Sequence, residues 1–444
     1  MSKVELVKAY ILEEIMQKRI VEGQRVPGCR EIAKQLSVNK ITVNKAYKIL
    51  EEEHYLYCVP RGGYYVIKSE MEDTPSHKFI DFQTVEPDTT LIPYQEFTHA
   101  INRTIEEHKK KLFTYESPMG FWELRETLCK RYEQDGIYTS REQIMIVNGA
   151  QQGIFLALKS VFMTPGEGKL LVEAPTYHAV FAMAKALDID CAAIRRDSVG
   201  IDLNELESLF QTERIKAFYI IPRYHNPTGY SLSEKDKKKI ADLCGRYRVY
   251  MIEDDYLSDL GMNKRSLPLH YYDTAERTIY IRSFSKTFLP GIRLGAVVFP
   301  GSLCETAIQH KYLSDICTSG ITQGALNFYM RSGMYDQHIH KINTCYRRKL
   351  VKANAIVSHV DLPGVTFHVP KQGLFLWITL PQGISADKIT QKLARIHILV
   401  SPYHNADDGR QGLRLCIAGV PEKDMESLSV VIMVMKEEIK DCMA

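Results

Sequence analysis

The 444 residues, 45% hydrophobic and 25% charged, have ordinary globular composition, which excludes a disordered chain and a disulfide-stapled mini-scaffold. The 57 Lys and Arg against 54 Asp and Glu leave a net charge of +3, which taken over the whole chain selects no partner. No apolar run approaches the ~18 residues of a membrane span, the opening segment is charged throughout, and the ten cysteines show neither a CxxC pair nor a metal-ligand spacing. A cytoplasmic chain with reduced thiols, no metal and no membrane contact is therefore expected.

The charge is unevenly spread. Residues 1–70 carry 12 Lys and Arg against 9 Asp and Glu, the whole of the excess, while 71–444 balance at 45 against 45. Over 23–50, six basic side chains (Arg25, Arg30, Lys34, Lys40, Lys45, Lys48) accompany Glu31 alone, a pattern that fits either a nucleic-acid footprint or a solvated helix face. The apolar spacing predicts a helix over 4–20, with Val4, Val7, Ile11, Ile15 and, at its edge, Met16 on one stripe. Pro27 precedes a shorter helix over 29–36, and Asn39 is placed to cap a third whose Val43, Ala46, Tyr47 and Leu50 share a face. Segments 55–59 and 64–67 alternate around Pro60-Arg61-Gly62-Gly63 like a hairpin.

Two helices joined by a short turn and followed by a hairpin describe a winged helix-turn-helix. In that geometry Asn39, Lys40, Thr42, Val43 and Lys45 lie on or beside the N-terminal half of the recognition helix, where side chains reach base edges in the major groove of double-stranded DNA. Arg30 opens the preceding helix, and Arg61 sits at the wing tip. The stretch G-Q-R-V-P-G-C-R-E-I-A-K-Q-L-S-V-N-K-I-T-V-N-K-A-Y-K-I-L at 23–50 resembles the GntR family. It departs from that pattern at Ser37, where a turn glycine is usual, and at Asn39-Lys40, where Ser-Arg is common. Lysine lacks the planar fork that pairs with guanine.

Residues 69–79 are polar, mixed in charge and contain Pro75, and read as a short linker between a DNA-binding domain at 1–68 and a body at 80–444. A dozen residues reach at most about 40 Å, so the reader is expected to stay near the body. In the body, apolar strands alternate with helices: Ile144–Val147 before Ala150–Phe162, 169–173 before 180–186, then 217–221, 250–253, 278–282 and 295–299. This predicts an α/β fold with a mainly parallel sheet covered on both faces. A body of about 365 residues exceeds one simple core, so a smaller α+β C-terminal lobe is expected as well.

Lys286 follows the 278–282 strand, at the edge of an α/β sheet where ligands bind. Alone it reads as a surface lysine, but its surroundings carry a fuller set. Asp254 ends another apolar strand with Tyr256 two residues on, and Asn226 lies in Asn226-Pro227-Thr228-Gly229. Gly149, Ala150 and Gln151 open a helix whose free amides suit a phosphate. Ser283, Ser285 and Arg293 lie within reach of the same anion. Pyridoxal 5′-phosphate (PLP) requires a lysine amine, a carboxylate beside the ring nitrogen, donors at the ring oxygen and a cationic phosphate cup. Lys286 would form the Schiff base, Asp254 would face the ring nitrogen, and Asn226 with Tyr256 the ring oxygen. Gly149, Ala150, Gln151, Ser283, Ser285 and Arg293 would hold phosphate.

Six motifs extend this across the body: Y-E-S-P-M-G-F-W-E-L-R at 115–125, V-N-G-A-Q-Q-G at 147–153, H-N-P-T-G at 225–229, E-D-D-Y at 253–256, S-F-S-K-T-F-L-P-G-I-R-L-G at 283–295 and G-L-R-L-C-I-A at 412–418. They resemble the fold-type I aminotransferases. The resemblance implies that Tyr177 stacks on the pyridine ring and that Arg414 pairs with a substrate or effector carboxylate. It also implies that Tyr115 reaches across a homodimer interface to the neighbour's phosphate. A GntR-like reader ahead of such a body resembles the MocR subfamily of transcription regulators, which implies that the body senses PLP, or an amine or amino acid forming an aldimine with it. Two departures bear on this: Val85 stands where the subfamily has a glycine near Pro87-Asp88, which narrows the pocket, and Asn226 stands where many such regulators carry an aromatic residue. A PLP-dependent aminotransferase with an accessory N-terminal module is the alternative; a DNA-binding repressor with an inert body is a third reading.

Overall fold

The computed structural model describes residues 2–443 except 18, 22, 54, 60, 61, 68–78, 165, 262–265 and 405–408. Arg61, and all of the expected linker but Phe79, lie outside the described residues. The chain divides into two compact units, Met1–Lys78 and Phe79–Ala444.

In the first unit, α1 (Lys3–Met16) opens with a reciprocal cap: the Ser2 hydroxyl accepts from the Glu5 amide, and the Glu5 carboxylate accepts from the Ser2 amide. Val7 and Ile11 are buried, but Met16 is 75% exposed and off the stripe. The helix also ends four residues earlier than the periodicity predicts. The Glu14 carbonyl accepts from the amides of Arg19 and Ile20, which turns the chain and folds Ile20 back onto the core. Helices α2 (Cys29–Gln35) and α3 (Lys40–Glu52) follow, with the Asn39 side chain capping the Ile41 amide at 2.9 Å. Ser37, in the turn between them, has φ +51°, a left-handed conformation that favours glycine. Strands β1 (Leu56–Val59) and β2 (Gly63–Val66) form the wing in antiparallel register, Leu56 opposite Val66. Ile32, Val43, Ala46, Tyr47, Leu50, Leu56 and Val66 close the core, each buried aliphatic contributing roughly 1.5–3 kcal/mol.

The second unit begins with β3 (Ile80–Asp81), α4 (Tyr94–His108) and α5 (Trp122–Gln134). Then come β4 (Ile144–Val147), α6 (Ala150–Phe162), β5 (Lys169–Ala174), α7 (Ala179–Ala186), β6 (Cys191–Arg195), α8 (Leu203–Thr212), β7 (Ile215–Ile220), α9 (Glu234–Tyr247), β8 (Tyr250–Asp255), β9 (Thr278–Ser283) and β10 (Gly295–Val298). The remainder is α10 (Gly301–Asp315), α11 (Gly320–Arg331), α12 (Met334–Val357), β11 (Thr366–His368), β12 (Phe375–Thr379), α13 (Ala386–Arg395), β13 (Ile398–Leu399), β14 (Ser401–His404), β15 (Gln411–Cys416) and α14 (Leu428–Met443). Seven strands form the large sheet in the order β4-β10-β9-β8-β7-β5-β6, parallel except for β10. Apolar clusters lie on either side of it, as the continuously hydrophobic strands require.

The smaller lobe is an antiparallel sheet, β11-β12-β15-β14, packed with α13, α14 and the end of α12. Chain order misleads at one point. The first body residues belong to this C-terminal lobe: β3 pairs in parallel with β13, and Phe82 is fully buried in the lobe's core. Residues 83–88 must therefore cross from the small lobe to the large one. Among the described residues no helix is long and apolar enough to cross a membrane.

Candidate functional site

The carboxyl ends of β5, β7, β8 and β9 lie on one edge of the large sheet. The antiparallel β10 brings its first residue there too, Gly295 pairing with Val147 and with Ser283. A side chain on Gly295 would lie 3.0 Å from the Arg282 carbonyl oxygen and 3.2 Å from the Ala150 nitrogen, so a larger residue would press the end of β9 and the start of α6 apart by a few tenths of an ångström. A cavity of about 310 Å³ opens at this edge. It is lined by Lys286, Asp254, Asn226, Tyr256, Tyr177, Ala150, Gln151, Ser283, Ser285, Arg293 and Arg414, together with Val85. Residues scattered over more than 250 positions of sequence are thus brought together; Gly149, next to Arg293, and Tyr115 are not among the lining residues.

Asp254 is buried; its Oδ2 accepts from the Tyr219 hydroxyl at 2.7 Å, while Oδ1 has no partner among the described residues. Burial pushes its carboxyl up to about 7, against the lowering effect of the Tyr219 hydrogen bond. A buried oxygen without a donor is costly, and a protonated ring nitrogen is the type of donor that would relieve it. Tyr219 gives no signal of its own in the sequence, since only the parallel register of β7 with β8 brings it to Asp254.

Across the cavity, Lys286 donates from Nζ to the Val85 carbonyl at 2.8 Å. Burial lowers its ammonium below the ordinary lysine range, which favours the nucleophilic free amine. The loop that carries it is fixed from behind: the Thr287 hydroxyl donates to Asp259 at 3.0 Å, Tyr335 donates to the same oxygen, and Asp259 pairs with the buried Arg282. Arg414 donates from Nη2 to the Gln83 carbonyl at 2.8 Å and to Ser401 Oγ at 3.0 Å, and from Nη1 to Asn226 Oδ1 at 3.4 Å. Among the described residues its buried Nε has no partner and no carboxylate pairs with the guanidinium. The guanidinium fork is therefore incompletely satisfied at the cavity wall, where a carboxylate would complete it.

At the opposite end, Gly149 has φ +80°, and a Cβ there would lie 2.8 Å from Arg293 Nη2. The missing side chain makes room for that cation beside the start of α6. The Ser285 amide donates to Ser283 Oγ at 3.2 Å, and Gln151 Nε2 donates to the Tyr177 hydroxyl at 2.9 Å. Tyr256 differs from the expectation in detail: its hydroxyl donates to the Tyr224 carbonyl at 2.6 Å. Tyr115 is 82% exposed. Residues the sequence reading missed are Tyr219, the carbonyl of Gln83, Ser401, and Ile154, His178 and Ile221 of the lining.

In the first unit Arg30, in the first turn of α2, is exposed, as are Asn39, Lys40 and Lys45 at and after the start of α3; Thr42 is half-buried, and Val43 turns into the core instead. The Asn39 oxygen is committed to the helix cap, which leaves its amide nitrogen as the outward group.

Residues 78–432 match the family model described as aminotransferase class I and II, and residues 3–66 match that of bacterial regulatory proteins, gntR family. Over 425 residues the chain is 36% identical to "Uncharacterized HTH-type transcriptional regulator YcxD" of Bacillus subtilis, covering 94% of this chain and 96% of that protein. It is 28% identical to aromatic-amino-acid aminotransferase 1 of Thermococcus litoralis, covering 80% of this chain and 87% of that protein. The crystal structure of multiple substrate aminotransferase from Thermococcus profundus aligns with a TM-score of 0.76 at 28% identity, over 82% of this chain and 93% of that one. Reader and body together place the chain in the GntR-family, HTH-type transcriptional regulators of MocR type, with an aminotransferase class I and II domain as the body.

Proposed function

We propose that the body binds PLP and that its occupancy, by PLP alone or by PLP joined to an amine or amino acid, sets how the reader engages promoter DNA. The observation that carries this is that Asp254, whose Oδ1 has no partner among the described residues, lines one cavity together with Lys286 and Arg414. Bound PLP supplies an aldehyde carbon and an electron-withdrawing ring. The chain's own residues then have separate tasks. Asp254 keeps a proton on the ring nitrogen, Lys286 offers its amine, and Asn226 and Tyr256 border the ring oxygen. Tyr177 covers the ring face. Gly149, Ala150, Gln151, Ser283, Ser285 and Arg293 hold the phosphate, and Arg414 takes a carboxylate. Tyr115 completes the phosphate cup of a second copy in a cytoplasmic homodimer.

The route to the reader is the crossing segment. The Val85 carbonyl holds Lys286 and the Gln83 carbonyl holds Arg414. A ligand that engages both side chains releases both carbonyls, and only Ile80–Asp81 and Phe82 separate Gln83 from the linker. Asp88, which the buried Lys349 pairs with at 3.3 Å, anchors the other end of this segment. Differential affinity of the ligand for the two arrangements is then the coupling energy, typically about 1–3 kcal/mol.

The test uses the full-length protein and a duplex enriched from a randomised pool. PLP should change duplex affinity by roughly 5- to 150-fold, and Lys286→Ala should abolish both that response and the visible absorption of the lysine-bound cofactor. Equal affinity with and without PLP would remove the sensing role. A second reading is favoured by Asn226, which stands where many such regulators carry an aromatic residue and accepts from Arg414 at 3.4 Å: a PLP-dependent aminotransferase. Sustained amino-group transfer to a keto acid, with no enriched duplex, would establish it instead.

A further inference from the structure

The recognition helix presents a face that its lysines alone do not explain. Val43, Ala46, Tyr47 and Leu50 of α3 are buried, which fixes the helix's rotation. Ile41, Asn44, Lys45 and Lys48 then share the outward side, and all four are exposed. Ile41 is 74% exposed. Its amide is held by the Asn39 cap at 2.9 Å, and a β-branched side chain in a helix is nearly confined to one rotamer. The methyl groups are thus presented at a fixed place.

A lone exposed isoleucine needs no explanation on most surfaces, but the neighbours of this one restrict what can cover it. An apolar protein partner would have to bury the adjacent Lys40 and Lys45 without compensation, at a large desolvation cost. The DNA major groove offers the opposite arrangement, phosphates for the lysines and a thymine methyl group for an apolar side chain. Helix α3, KITVNKAYKILEE, contains no arginine, so the fork that most often reads guanine is missing. Its uncharged outward groups are an isoleucine, which suits a thymine methyl, and an asparagine, which suits the adenine N6 and N7 edge.

We propose that Ile41 and Asn44 are sequence-reading residues: Ile41 packs on the 5-methyl of a thymine, Asn44 pairs with an adenine, and the base pairs beneath them are A·T. This rests on α3 being the helix that enters the major groove. The test is an enriched duplex, bound by the full-length protein, with each thymine replaced in turn by deoxyuridine, which deletes one methyl group and no hydrogen bond. At one position in the half-site the wild-type protein should lose about fourfold in affinity, the value of one buried methyl, and Ile41→Ala should be indifferent to that replacement. Asn44→Ala should lose at least about fivefold and relax selectivity at a neighbouring A·T pair. An enriched duplex whose binding ignores every methyl deletion, or Ile41→Ala with wild-type methyl dependence, would overturn the assignment. Failure to enrich any duplex would overturn both the assignment and the DNA-reading role of α3.

Discussion

The reader and the body solve opposite problems. In the reader, a small core of α1–α3 and the wing holds exposed groups outward, and among the described residues Arg30, Lys40 and Lys45 are exposed rather than buried against a partner. In the body, the working groups are buried in an α/β framework: Asp254 is left short of a hydrogen bond, and Lys286 and Arg414 are parked on backbone carbonyls. Exposed readers act through charge and shape and tolerate small displacements. Buried groups act through withheld solvation, so each substitution should have a large effect that depends on pH.

The sharpest way to break this contrast is Asp254→Asn. It should weaken PLP binding roughly 10- to 100-fold, the value of one charged hydrogen bond, as read by absorbance titration. The cofactor-free protein should respond in the opposite sense. A folded carboxyl raised to about 7 keeps its proton while the unfolded one ionises from about 4. Wild-type stability is therefore progressively lost from pH ~4 to ~7, and the deficit is fully present above pH 7. Asp254→Asn should remove that slope and gain on the order of 4 kcal/mol at pH 8 by denaturant titration. Glu253, also pushed up to about 7 by burial, remains in both proteins and cancels in the difference. A variant with unchanged pH dependence would show that Asp254 is solvated and the contrast false.

A smaller effect is expected at the reader. Lys45→Ala should weaken duplex binding several-fold, reduce the slope of log affinity against log salt by about 1, and leave the cofactor spectrum intact. A salt slope equal to wild type would take Lys45 off the phosphates. The smallest concerns the reader's scaffold. Ser37→Gly relieves a left-handed turn residue and should stabilise the isolated transition of this unit by up to ~1 kcal/mol, without changing duplex selectivity. A loss of stability would mean that the serine hydroxyl holds the turn.

The reader was legible nearly residue by residue because its signals are local. Apolar spacing marked the buried face of α3, Asn39 announced the cap, and the glycines at 62–63 marked the wing. The errors were local too: Met16, expected at the edge of the α1 stripe, is the last residue of the helix and lies off that stripe, and the turn closed by the Glu14 carbonyl ends the helix there. In the body, the strands and the lining side chains were legible because each strand is continuously apolar and its polar successor marks an end. What could not be read were groups that contribute through the backbone or across strands. Tyr219 looks like one more apolar strand residue, and the carbonyls of Gln83 and Val85 have no signature in a side-chain alphabet.

The sequence by itself determined the two-part organisation, the winged reader, the α/β body and the identities of the groups around Lys286, because periodicity, caps and strand ends are encoded within short windows. Only the tertiary structure decided that the body's first strand belongs to its last lobe, that Asp254 keeps one oxygen unpaired, and that residues 83–86 hold Lys286 and Arg414 at once. Those outcomes depend on strand order and on desolvation, and both are set by parts of the chain hundreds of residues apart.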